Sequence, residues 1–126
     1  MGSKPRMSLR AAVLGAPDAA QLAGFYQQLL GWETAEEEPG WVRLQPAGGG
    51  TCLSFQSEER YTPPVWPARP GSQQMTAHLD IQVDDLDSAS AYARSLGAVL
   101  ADHQPQTDVR VHLDPVRNPF CLFVAP

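Results

Sequence analysis

His78, Asp80 and Gln82 alternate with Leu79, Ile81 and Val83 in one short stretch. In an extended strand, alternate side chains share a face. The segment 78–83 therefore sets an imidazole, a carboxylate and a carboxamide on one side and three aliphatic groups on the other. The aliphatic set is the one that suits a helix-packed core. Neighbouring imidazole and carboxylate groups tune each other for proton transfer, so His78 and Asp80 are candidate catalytic residues. They are equally candidates for anchoring a polar ligand, and the bland alternative is a histidine satisfied by a neighbour. An unpaired polar group in a dry interior costs about 1–3 kcal/mol, so these side chains need partners, water or a ligand.

The same alternation marks other polar faces. Cys52, Ser54 and Gln56 oppose Leu53 and Phe55; Trp41 and Arg43 oppose Val42 and Leu44; Cys121 and Phe123 oppose their neighbours in the last apolar run. Arg110 and His112 are further candidates on 109–113. A thiol such as Cys121 inside an apolar strand keeps a high pKa and stays inert as a nucleophile. Gly48-Gly49-Gly50 lacks the Lys-Ser/Thr that a phosphate-binding loop requires.

The elements that position these groups read in two similar halves. In the first, a strand over 10–15 leads to Asp18, a helix N-cap. Leu22, Phe25, Tyr26, Leu29 and Leu30 recur at helical spacing over 19–30, and Gly31 ends the helix. Strands follow over 32–35, 41–45 and 51–56, with 36–40 a solvated turn. In the second half a strand over 78–83 is followed by Asp84-Asp85 as a cap, with Leu86, Ala89, Tyr92, Ala93 and Leu96 as the apolar helix face. Strands over 98–101, 109–113 and 120–124 complete it, with a polar loop over 102–108. Asp18, Tyr26, Leu30 and Gly31 recur at Asp84, Tyr92, Leu96 and Gly97, a fixed offset of 66. Each half is βαβββ, which predicts an α+β domain with helices on one face of each sheet. The connector 57–76 holds Pro63, Pro64, Pro67 and Pro70, which disfavour regular structure there. Its Tyr61 and Trp66 are either a lid over a site or anchors for the loop. Residues 1–7 read as a polar leader, with Met7 a candidate native start. The domain is expected over 8–126, as modules 8–56 and 77–126.

Composition narrows the partners. The chain has 126 residues and a net charge of -5. Its one lysine, Lys4, argues against a nucleic-acid partner. No apolar run approaches the roughly 20 residues that span a bilayer, and no signal-peptide core is visible. Cys52 and Cys121 are expected as free thiols in a reducing, cytoplasmic setting.

The Asp18-x6-Phe25-Tyr26…Leu30-Gly31 run, the His78-Leu79-Asp80 strand and the tail Asp114-Pro115-Val116-Arg117-Asn118-Pro119 resemble the vicinal oxygen chelate superfamily of glyoxalase, bleomycin-resistance and dioxygenase-like proteins. The resemblance covers 8–126. It implies two tandem βαβββ modules whose sheets form a half-open cup, helices outside, commonly as a homodimer. It also implies that Arg117 occupies a tail position usually held by glycine, which puts the turn geometry in question. Metal ligands of the family fall here on Ala11, Ser54, His78 and Cys121, expected to converge on one cup. Alanine cannot ligate and serine is a poor ligand, so no metal and no cofactor is expected. The expected function is metal-independent binding of a small polar or aromatic molecule, by sequestration or sensing. Trp41, Arg43, Ser54, Gln56, Tyr61, Trp66, His78, Asp80 and Cys121 would line the site. The alternatives are a lyase or isomerase using His78 and Asp80 for proton transfer, and metal-dependent glyoxalase-type chemistry.

Overall fold

The structure is a computed structural model, and it describes residues 4–125. Residues 1–3 of the expected leader and Pro126 lie outside the described residues.

The first module runs β1 (Ala11–Ala16), α1 (Ala19–Leu30), β2 (Glu33–Glu38), β3 (Trp41–Gln45) and β4 (Cys52–Ser57). The second runs β5 (Leu79–Gln82), α2 (Leu86–Ser95), β6 (Val99–Leu100), β7 (Val109–Leu113) and β8 (Pro119–Phe123). The sheets have the same topology, β1-β4-β3-β2 and β5-β8-β7-β6. In each, the first strand lies parallel to the last, and the other neighbours are antiparallel. This is the α+β fold of two βαβββ modules.

Local chemistry sets the helix ends. Asp18 accepts from the amides of Ala20 (3.1 Å) and Gln21 (3.4 Å), and Ser57 Oγ on β4 accepts from that of Ala19 (2.9 Å). Gly31 closes α1 at φ 69°, the left-handed region that costs glycine least. On α2 the cap is Asp85, which accepts from Asp87 and Ser88 amides; Asp84 does not hold that place. The helix N-caps are therefore offset by 67 residues rather than 66, because the turn from Gln82 to Asp85 is one residue longer than that from Ala16 to Asp18.

The core is carried by α1. Its Tyr26 is fully buried, stacked 5.7 Å from Phe55 of the first sheet and edge-on at 6.0 Å to Phe120 of the second. Phe25 also meets Phe120 edge-on at 5.9 Å. Leu44, Leu53, Phe55, Phe120 and Leu122 fill the helix-facing sides of the strands. The modules thus share one hydrophobic core.

Three expectations about elements need correction. Residues 36–38 continue β2 instead of turning, and the turn is the two residues Pro39-Gly40 between paired Glu38 and Trp41. As the outermost strand, β2 keeps most of its glutamates in water while Glu36 reaches across to β3. Tyr92 does not sit in the apolar face of α2: it is 49% exposed, and its hydroxyl donates to the Gln28 carbonyl of α1. A phenol can cover a helix junction with its ring and keep its polar tip near water. Finally, Arg117 takes φ 70°, so the tail turn keeps its left-handed residue without glycine.

Candidate functional site

Parallel pairing of β5 with β8 sets Asp80 against Cys121 and Gln82 against Phe123. His78 precedes Asp80 by two residues and shares its face. Its Nε2 lies 3.0 Å from Asp80 Oδ1, with side chains 37% and 62% exposed respectively. The nitrogen of His78, a carboxylate oxygen of Asp80 and the sulfur of Cys121 all fall within 4.8 Å of one another. Burial pushes the Cys121 thiol pKa up, and the negative charge of Asp80 and a hydrogen bond to it push it further. The thiol therefore stays protonated at neutral pH and is a weak nucleophile.

Two adjoining hollows open over these side chains. One, about 270 Å³, is lined by His78, Asp80, Gln106, Val109, Cys121 and Phe123. The other, about 190 Å³, adds Trp66, Pro105 and Val111. Trp66 is held there by its indole N–H, which donates to the His103 carbonyl (3.2 Å). Mostly apolar walls with a few convergent polar groups suit a small molecule.

The first sheet carries a separate polar group. Trp41 Nε1 donates to Glu36, and Arg43 lies 3.5 Å from the same carboxylate. Beside Arg43, Ser54 is fully buried and its hydroxyl has no partner. Gln56 is exposed and donates to Glu58 (2.7 Å). Tyr61 donates to the Val116 carbonyl (3.0 Å) and borders a different hollow, of about 240 Å³, with Val13, Gln73 and Asn118. Its pKa is pushed up to about 12 by burial and by Asp114.

Of the residues singled out from sequence, His78, Asp80, Cys121 and Trp66 meet around the same hollows. Trp41, Arg43, Ser54, Gln56 and Tyr61 lie elsewhere, against neighbours of their own. Ala11 and Ser54 line neither hollow over His78, so the expected convergence of Ala11, Ser54, His78 and Cys121 is not what these cavities show. Ala11 has no donor atom and Ser54 is sealed in, so the residues do not fit a four-donor metal centre drawn from both sheets.

Arg110 and His112 face the helix, contrary to expectation. His112 is fully buried, 2.8 Å from Ser90 Oγ and stacked 5.4 Å from Phe120. Arg110 pairs with Asp87 of α2. The polar residues of β7 point inward because α2 offers Asp87 and Ser90 there. Val109 and Val111 consequently line the hollows, together with Gln106 from the loop before β7. The signal for this exchange was present in the serine and aspartate of α2.

The site geometry sits within a known family. A family profile described as a glyoxalase-like domain matches residues 11–123. The chain belongs to the glyoxalase-like domain family. This places it in the vicinal oxygen chelate superfamily. Solved structures agree on the fold. A glyoxalase/bleomycin resistance protein/dioxygenase family enzyme from Burkholderia phytofirmans PsJN is 22% identical, with TM-score 0.74, over 95% of this chain and 100% of that one. A lactoylglutathione lyase from Agrobacterium tumefaciens is 18% identical, with TM-score 0.63, over 97% and 96%. A glyoxalase/bleomycin resistance protein from Albidiferax ferrireducens T118 is 13% identical, with TM-score 0.64, over 93% and 98%. No curated protein matches. No helix among the described residues is long and apolar enough to cross a membrane.

Proposed function

We propose that this glyoxalase-like protein binds a small polar or aromatic molecule over its second sheet, without the four-donor metal centre of its metal-dependent relatives, and acts by sequestration or sensing. The observation that carries this reading is the pair of hollows where His78 and Asp80, both partly exposed, meet the apolar walls of Val109, Phe123 and Trp66. Asp80 favours a ligand with a cationic or hydrogen-donating group, and Trp66 offers a ring to stack on. Similarity to proteins described as glyoxalase/bleomycin resistance proteins supports a small-molecule binding role.

A thermal-shift screen of aromatic amines and polar heteroaromatics against the wild type and His78→Ala tests it. Ligands that stabilise the wild type should bind the variant about tenfold more weakly, the loss of roughly one hydrogen bond to a charged partner. The variant's own melting temperature should change little, because His78 lies outside the helix-packed core. A large loss of stability with binding intact would overturn the reading.

The 3.0 Å contact between His78 and Asp80 also favours a second reading, proton transfer in an isomerase or lyase. Under it, His78 takes a proton from carbon while Asp80 holds the imidazole. Deuterium incorporation from solvent into a bound carbonyl compound, abolished in His78→Ala, is its signature.

The working assembly we propose is a homodimer in the cytoplasm. Cys52 and Cys121 are free thiols, which suits a reducing compartment, and Val99 and Leu100 on the short strand β6 are exposed apolar groups. Light scattering should give twice the chain mass at micromolar concentration; a monomer mass throughout rejects the dimer.

A further inference from the structure

We propose that His78, Asp80 and Cys121 form a three-donor site for a thiophilic divalent ion of the zinc class, contained within the second sheet. Their donor atoms lie within 4.8 Å of one another. Zinc bonds of about 2.0–2.3 Å place tetrahedral donors roughly 3.4–3.8 Å apart. The His78–Asp80 separation of 3.0 Å is slightly shorter than that spacing, so these two groups need only part a little while Cys121 draws in. Side-chain rotations alone can close the rest, since two of the three groups are substantially exposed. The backbone beneath is fixed: Asp80 and Cys121 are register partners, and His78 stands two residues along on the same face.

The donor set chooses the metal. Thiolate, imidazole and one carboxylate suit zinc, whereas magnesium and calcium want oxygen ligands throughout. Cys121 would bind as the thiolate, its proton passing to solvent. Val109 and Phe123 add no donor on this face, and the Gln106 carboxamide, the remaining polar group of the hollow, is a poor ligand for zinc, so a fourth position is left to water or a ligand. Three protein ligands with one open position is the pattern of zinc sites that exchange water or ligand. This arrangement departs from the family's two-sheet set, because Asp80 takes part and positions 11 and 54 do not. It stands on donor geometry and not on the small-molecule reading, which has its own test.

Reduced, metal-stripped protein should be titrated with Zn²⁺ by calorimetry and with Co²⁺ by absorption. The expected result is one ion per chain with a dissociation constant below about 10 µM. The cobalt form should show a tetrahedral spectrum with a thiolate-to-metal charge-transfer band. Cys121→Ser should remove that band and weaken zinc at least about tenfold, and Asp80→Asn, a change at an exposed position that leaves the fold intact, should weaken it comparably. Cys52→Ala and Ser54→Ala should leave both readouts unchanged. Absence of one-to-one binding, an octahedral cobalt spectrum lacking the charge-transfer band, or zinc affinity unaffected by Cys121→Ser and Asp80→Asn would overturn the proposal. So would loss of binding in a correctly folded Ser54→Ala, which would return the site to the two-sheet arrangement.

Discussion

Asp114 and Arg117 show how much a single turn asks of its residues. Asp114 is 2% exposed; one carboxylate oxygen accepts from the amides of Val116 (3.0 Å) and Asn118 (2.9 Å), and the other from Tyr26 (2.8 Å). Burial raises its pKa, and these hydrogen bonds pull it back. Within the same turn Arg117 occupies the left-handed region, where a side chain with a Cβ costs about 1–2 kcal/mol. Glycine removes that cost but loses more entropy on folding, about 0.5–1 kcal/mol. Arg117→Gly should therefore stabilise by up to about 1 kcal/mol, and Arg117→Val should destabilise, since β-branching is least tolerated there. Urea unfolding of the two variants checks both signs. The tail motif was legible in the sequence, and Arg117 was visible as its odd member. That the turn would force arginine into a glycine conformation, rather than change shape, was not. The deciding force is the set of amides that Asp114 gathers, which only the folded turn displays.

At the scale of elements, alternation gave the correct facing of β3, β4, β5 and β8, because in each the more apolar row, such as Val42 and Leu44 or Phe120 and Leu122, is the one buried in the core. It gave the wrong facing for β7. There the polar row meets a polar stretch of α2, so burial follows from the partner and not from the strand's own pattern. His112 carries a measurable consequence. Its Nδ1 is 3.3 Å from the Arg110 carbonyl and its Nε2 2.8 Å from Ser90 Oγ, so the neutral ring donates to the carbonyl and accepts from the hydroxyl. Burial lowers its pKa from the ordinary 6.5; the Arg110 carbonyl opposes this, while Arg94 and Arg110 add to the lowering. The unfolded chain takes up the proton near the ordinary value, and the folded chain resists it. Stability from this group is thus fully present above about pH 6.5 and falls as the pH drops below it, toward the lowered native value. Melting temperature measured from about pH 8 to 5 should decline through that window, and His112→Gln should flatten this part of the decline.

For the whole molecule, one aromatic residue joins the two halves. Tyr26 belongs to the first module, yet it contacts Phe120 and donates to Asp114 in the second. Tyr26→Phe keeps the ring packing and strands a buried carboxylate oxygen, which should cost about 1–3 kcal/mol. A lowered midpoint for the whole unfolding, with a single transition retained, is the expected calorimetric result. Two separate transitions would mean that the modules melt independently. The duplicated order of elements was legible because both halves repeat the same helix register and stop. The unequal division of chemistry between them was harder to see. Ser54 and Cys121 occupy matching strands, but Ser54 faces Val13 across the parallel pair, where Cys121 faces Asp80.

The parallel pairing of β5 with β8 also orders events in time. During synthesis β1 can find β4 as soon as Ser57 has left the ribosome, and the first sheet then has every strand it needs. Leu79 must wait for Phe120, with all of α2, β6 and β7 threaded between. Non-local pairings of this kind form slowly, and a nascent chain held at residue 100 would offer half of the shared core to the solvent or to a chaperone. The face bearing His78 and Asp80 consequently forms after the first sheet, and pausing of translation between residues 83 and 119 would prolong the interval in which it does not exist.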